Sequence, residues 1–86
     1  VNSKTVTVGS AAGLHARPAA LIAQAAAAYD DEITLTLAGK DPADANSSLM
    51  IMMLGAGHGT PITIASDNHP AVEAISAMIG SDLDAG

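Results

Sequence analysis

Three separated stretches of the 86-residue chain alternate between aliphatic residues and threonine, and this period of two is its strongest constraint on fold. In "KTVTV" (4–8), Val6 and Val8 share one side, and Thr5 and Thr7 the other. "EITLTL" (32–37) sets Ile33, Leu35 and Leu37 against Thr34 and Thr36, and "PITIA" (61–65) repeats the pattern with Ile62 and Ile64. Strands that are apolar on one face and wet on the other belong to an antiparallel sheet with one covered side. A weaker strand is expected within residues 40–45, where Pro42 confines it to an edge or a bulge.

Helices must cover the apolar side. Ala16–Ala28 carries Ala19, Ile22 and Ala26, with Tyr29 just beyond, at helical spacing. A short helix over Ser47–Leu54 should end at Gly55, a suitable C′ residue. In Pro70–Leu83, Val72, Ile75, Ile79 and Leu83 form one stripe, with Asn68 or His69 as its cap and Gly80 near its end. The expected order is β-α-β-β-α-β-α. That order gives an α+β, open-faced β-sandwich: a four-stranded antiparallel sheet covered on one face by three helices, in one domain over residues 1–86. With no Phe or Trp and a single Tyr, the core must be built from Ile, Leu, Val, Met and Ala.

Composition excludes several functions. A net charge of −6 without a basic patch argues against nucleic-acid binding. The chain has no cysteine, hence no disulfide or thiolate metal site, which fits a reducing compartment. No apolar run reaches the roughly 20 residues of a membrane span. No signal-peptide pattern precedes the first strand. The expectation is a cytoplasmic, soluble monomer without a cofactor or metal. Charge is unevenly placed: residues 1–29 hold Lys4, Arg17 and no acid, whereas residues 30–86 hold Lys40 and all nine acids.

The acid-free stretch contains "GLHARPAA" (13–20). If the first helix starts at Ala16, His15 is its N-cap and Arg17 lies in its first turn. Pro18 then costs nothing, because first-turn amides have no helical partner. The amides of Ala16 and Arg17 point toward the His15 ring, and the helix dipole adds roughly half a positive charge there. Arg17 adds a forked donor suited to phosphate. Neutral imidazole supplies a lone pair that can attack phosphorus and hold the phosphoryl group covalently. From these residues two readings stay open: a structural cap, or an anion site containing a nucleophile.

"GLHARPAA", the helix led by Ser47 and "LGAGHGT" (54–60) together resemble the HPr family, the histidine-containing phosphocarriers of the sugar phosphotransferase system. The resemblance covers essentially the whole chain. It implies that His15 takes a phosphoryl group on Nδ1 from phosphorylated enzyme I, itself charged by phosphoenolpyruvate, and passes it to sugar-specific IIA domains. It also implies that Arg17 is the phosphate partner and that the Ala16 amide helps hold the phosphate. Such a protein is a covalent intermediate between larger partners and not an enzyme in the strict sense. Departures from the family pattern are Ala12, Gln24, Ala27, Asn46 and a 40–46 stretch about one residue longer than in many members.

Ser47 aligns with a serine that a kinase phosphorylates in some bacteria; as a plain residue it would be an N-cap. Ala20, Leu21, Gln24, Leu49 and Met52 form the expected docking surface. Leu21, Leu49 and Met52 lie off the inward stripes, as an apolar patch for a partner that binds and leaves; the other reading of these three is core packing. His58 and His69 read as ordinary surface residues. Two further readings of the chain are a regulatory binding module whose phosphorylation state is sensed, and a structural domain in which His15 merely caps a helix.

Overall fold

The computed structural model describes residues 1–83. Among them β1 (Asn2–Thr7), α1 (Ala16–Ala26), β2 (Ile33–Thr36), β3 (Ala43–Asp44), α2 (Ser48–Met53), β4 (Pro61–Ser66) and α3 (His69–Gly80) follow one another in the expected order. The strands form one antiparallel sheet in the order β1-β4-β2-β3. β3 is thus an edge strand, as Pro42 requires, and it is short because the chain departs at Ala45 to begin α2.

The register explains the alternation. Val6 stands opposite Ile62, and Leu35 opposite Ile64. Ile33, Leu35, Ile62 and Ile64 are all buried on the helix side. Each such burial contributes about 1.5–3 kcal/mol relative to exposure. On the opposite face Thr5 and Thr63 are cross-strand partners whose hydroxyls hydrogen-bond at 2.8 Å. This face remains uncovered, with its threonines partly or fully exposed.

α3 lies across β1 and β4, and α1 packs against both α2 and α3. Pro18, Ala19, Ile22 and Ala26 of α1 are buried, as are Ile51 of α2 and Ala71, Val72, Ile75 and Ile79 of α3. Alanine at so many contact positions lets the helices approach closely, so a core without large aromatics still fills.

Helix ends differ from the sequence reading by one residue at either end of α2 and at the start of α3, and by more at the ends of α1 and α3. α1 stops at Ala26 because the following turn tightens: Ala28 and Tyr29 donate to Ala25 and Ala26, three residues back. α3 stops at Gly80, not Leu83. Ser81 takes an extended conformation and its hydroxyl returns to the Met78 carbonyl at 2.8 Å. Leu83 therefore extends the stripe from outside the helix, half-buried against the core. Gly55 follows α2 with φ +66°, as a C′ glycine does.

Asn68, and not His69, caps α3. Its Oδ1 accepts from the Ala71 amide at 3.1 Å, and its Nδ2 donates to Asp31 at 3.1 Å. His69 instead lies 3.8 Å from Glu73, which also bonds Lys4 at 3.2 Å. Asn68→Ala removes a cap and a link to the β2 approach, and should cost about 1–2 kcal/mol. Thermal unfolding should read this as a midpoint lowered by roughly 4–8 °C per kcal/mol. A change below one degree would show that α3 is held by its apolar face and not by its cap.

Candidate functional site

The loop from Val8 to His15 joins β1 to α1 and is pinned along its length. Val8 donates to Thr60 at 3.0 Å and accepts from Gly59 at 2.9 Å. Gly9 donates to the Ile79 carbonyl at the end of α3, at 2.9 Å. Gly13 closes a turn by donating to the Ser10 carbonyl at 2.9 Å, and Leu14 donates to the Ala56 carbonyl at 2.9 Å. The Leu14 side chain is buried beneath this turn.

Gly13 is required twice over. Its φ of +83° lies in the left-handed region that favours glycine. A Cβ there would stand 2.5 Å from the Ala56 carbonyl oxygen and 2.9 Å from the Gly57 Cα. The loop before α1 and the loop before β4 therefore meet backbone against backbone. In the sequence, "LGAGHGT" contributes to the family resemblance but gives no sign that it packs against the His15 loop. The close approach depends on the missing side chain of Gly13, since a Cβ on Gly57 would meet nothing within 4 Å.

His15 emerges from this support as the N-cap of α1, in extended conformation, and its carbonyl accepts from Ala19 at 2.9 Å. Its ring is exposed and makes no capping hydrogen bond. Ala16 and Arg17, both exposed, form the first turn ahead of the helix's own hydrogen-bond ladder, and Pro18 is buried at its third position. No acidic residue stands in that turn.

Beside the ring is an open concavity of about 360 Å³, lined by Ala12, Leu14, His15, Ala16, Met52, Gly55, Ala56 and Gly57. The structure thus brings together His15 and Ala16 with Met52 from a distant part of the chain. Ala20 and Gln24 are exposed farther along α1, and Leu21 is half-buried and less outward than its helical phase implied. Leu49 is 64% exposed and Met52 37%. Two apolar side chains escaped the sequence reading: Met50 and Met53, 40% and 69% exposed. A six-residue helix that turns Ile51 inward has little inner face left for them. The Met50 and Met53 side chains border a second groove of about 320 Å³ with Lys40, Asp41, Pro42 and Ala43.

Ser47 is the N-cap of α2, its Oγ accepting from the Met50 amide at 3.3 Å. It does not line the concavity at His15. His58 and His69 are exposed and outside that concavity. No group of three or more metal-ligating side chains is found among the described residues. Nor is any described helix long and apolar enough to cross a membrane.

An antiparallel open-faced sandwich with a histidine at the mouth of its first helix is the architecture of histidine-containing phosphocarriers. The solved HPr of Bacillus anthracis superposes with a TM-score of 0.84 at 37% identity, over 91% of this chain and 95% of that one. An HPr structure from Thermoanaerobacter tengcongensis superposes at 0.89 and 28% identity, over 100% and 99% of the two chains. The family model described as the PTS HPr component phosphorylation site matches residues 2–80. The phosphocarrier protein HPr of Streptomyces coelicolor is 40% identical over 84 residues, covering 94% of this chain and 90% of its own. The chain belongs to the HPr family of phosphocarriers.

The paired loops give a direct expectation. Gly13→Ala should leave the sheet and α3 folded but force the His15 loop away from Ala56. Amide exchange at Leu14 should then rise at least tenfold while the exchange of Ile62 and Ile64 stays within twofold. Unchanged exchange at Leu14 would show that the close approach of the loops is not what holds them together.

Proposed function

We propose that this chain accepts a phosphoryl group on His15 from phosphorylated enzyme I and passes it to sugar-specific IIA domains, acting in the cytoplasm as a monomer. The observation that carries the reading is the exposed His15 ring, not engaged in capping, at the positive end of an 11-residue helix whose first turn contains Arg17 and no acid. The HPr family membership supports the same reading.

The chemistry follows from that arrangement. A lone pair on the His15 ring attacks phosphorus; the new N–P bond forms as the bond from phosphorus to the donor breaks, and the donor keeps that electron pair. Nδ1 is the reacting nitrogen by family resemblance. The helix end and the Arg17 guanidinium stabilise charge on the phosphoryl oxygens, both during transfer and on the phosphohistidine. Onward transfer reverses the steps, with a nucleophile of the IIA domain attacking and the ring regaining its lone pair. Exposure of the ring is essential, since two proteins must reach the same phosphorus in turn.

Docking in this reading is largely apolar. Gln24 and Ala27 bring no charge to the exposed side of α1, while Leu49, Met50, Met52 and Met53 present an adaptable apolar surface on α2. Ser47 is the candidate regulatory site. A phosphate there would add about 1.5–2 negative charges on the helix that carries Met52 and would oppose an anionic donor.

The test is incubation with phosphoenolpyruvate and enzyme I, followed by mapping of acid-labile phosphate. His15→Ala should accept none, and His58→Ala and His69→Ala should load as the wild type does. Arg17→Ala should load more slowly, and Arg17→Lys should recover part of the rate, because an ammonium cannot reproduce the guanidinium fork. Phosphate on His58, or equal rates for the Arg17 variants and wild type, would overturn the corresponding assignment.

A second expectation concerns affinity. Leu49→Ala should weaken enzyme I binding by about 1–2 kcal/mol. The loss should be the same at low and high salt, because exposed charge attraction is screened beyond about 8 Å at physiological ionic strength. A Kd that rises steeply with salt but ignores Leu49→Ala would assign recognition to charge instead.

A further inference from the structure

Ser10 is a polar residue with no exposed surface, yet it sits in the loop just before exposed residues: Ala11 and Ala12 follow it, and His15 stands five positions on. Three serines are buried among the described residues, and their hydroxyls behave differently. The Ser66 hydroxyl accepts from Asn68 two residues away, a local turn. The Ser76 hydroxyl has no hydrogen-bond partner among the described residues. The Ser10 hydroxyl accepts from the Leu83 amide at 3.1 Å, across 73 positions of the chain.

The main chain of Ser10 serves the same junction. Its carbonyl accepts from Gly13 and so closes the turn that delivers Leu14 and His15. Its neighbour Gly9 donates to Ile79, and a Cβ on Gly9 would stand 2.3 Å from the Gly80 carbonyl oxygen. The loop is therefore held on two sides. Ala56 holds it near His15, and the segment after α3 holds it at Ser10. A turn anchored at one end can pivot about that end; anchored at both, it fixes where the next residues leave it. Phosphoryl transfer is sensitive to such placement, since an ångström of misplacement can cost on the order of a hundredfold in rate.

We infer that Ser10 is a positioning residue for phosphoryl transfer: by tying the loop to the Leu83 amide, its buried hydroxyl fixes the placement of the His15 ring. This rests on the reading that His15 is the phosphoryl acceptor. Ser10 does not touch the phosphoryl group; it acts through the turn that Gly13 closes.

Two changes remove the bond from opposite ends. Ser10→Ala deletes the acceptor, and an ester in place of the Asp82–Leu83 amide, introduced by chemical ligation, deletes the donor without altering any side chain. Each should lower kcat for loading by phosphorylated enzyme I about tenfold, a fraction of what a full ångström of displacement costs. KM for the donor should change less than twofold, because the docking surface is intact. Combined, the two should do no more than either one does, since both remove one bond. Amide exchange at Gly13 should rise in both. Ser76→Ala, at a buried serine whose hydroxyl makes no hydrogen bond to the loop, should load as the wild type does.

Single changes that leave kcat within twofold of wild type, or that multiply when combined, would overturn the inference while His15 remains phosphorylated. A rise in KM with kcat unchanged would also overturn it and would make Ser10 part of docking. Absence of phosphate on His15 of the wild type would overturn this inference and the functional reading together, and Gly13 exchange would then report on a purely structural tie.

Discussion

β4 enters the sheet last among the strands, yet it lies between β1 and β2 and pairs with both. That placement obliges the chain to cross back over itself. The two ends of the described fold, β1 and α3, become neighbours, and the loops on either side of the sheet's end are driven together. Ile62 and Ile64, fully buried on β4, are the apolar reason for it. Once they are seated, Thr60 and Gly59 fall beside Val8, Ala56 falls beside Leu14, and the main chain leading to His15 has its supports. The His15 ring owes its position less to α1, which it heads, than to a strand that comes some 45 residues later.

Much of this was legible in the sequence because it rested on period. Threonine alternating with valine, isoleucine or leucine identified three strands, and Pro42 limited the fourth to an edge or a bulge, of which the structure has the edge. His15, Ala16, Arg17 and Pro18 announced a helix start, and α1 begins there. What escaped had no periodic signature. Helix ends depended on single hydrogen bonds, such as that of Ser81 to Met78. The meeting of Gly13 with Ala56 and Gly57 is a contact between main chains, which leaves no mark beyond the smallness of the residues. The burial of Ser10 could not be read from a polar residue in a glycine-rich loop.

The apolar face of α2 illustrates the same limit. Its inward residue, Ile51, is clear once the helix is placed, but six residues give too short a sample to phase the rest. The structure leaves Leu49, Met50, Met52 and Met53 at the surface, more apolar area than the sequence indicated. Methionine is flexible and polarisable, so such a surface can repack against differently shaped partners without a change of backbone. That property fits a protein that must be released by one partner before it meets the next.

The long separation between Ser10 and Leu83 also bears on how the molecule comes into being. A chain grows from its N-terminus at roughly 5–20 residues per second. The segment carrying the histidine is therefore made before the residues that buttress it, and Ala56, Ile79 and Leu83 follow over the succeeding seconds. Until they arrive, the loop has nothing to rest against and β1 has no partner strand. A partly synthesised chain exposes the histidine without its scaffold, so the loop takes its final shape late and abruptly, when Leu83 reaches Ser10.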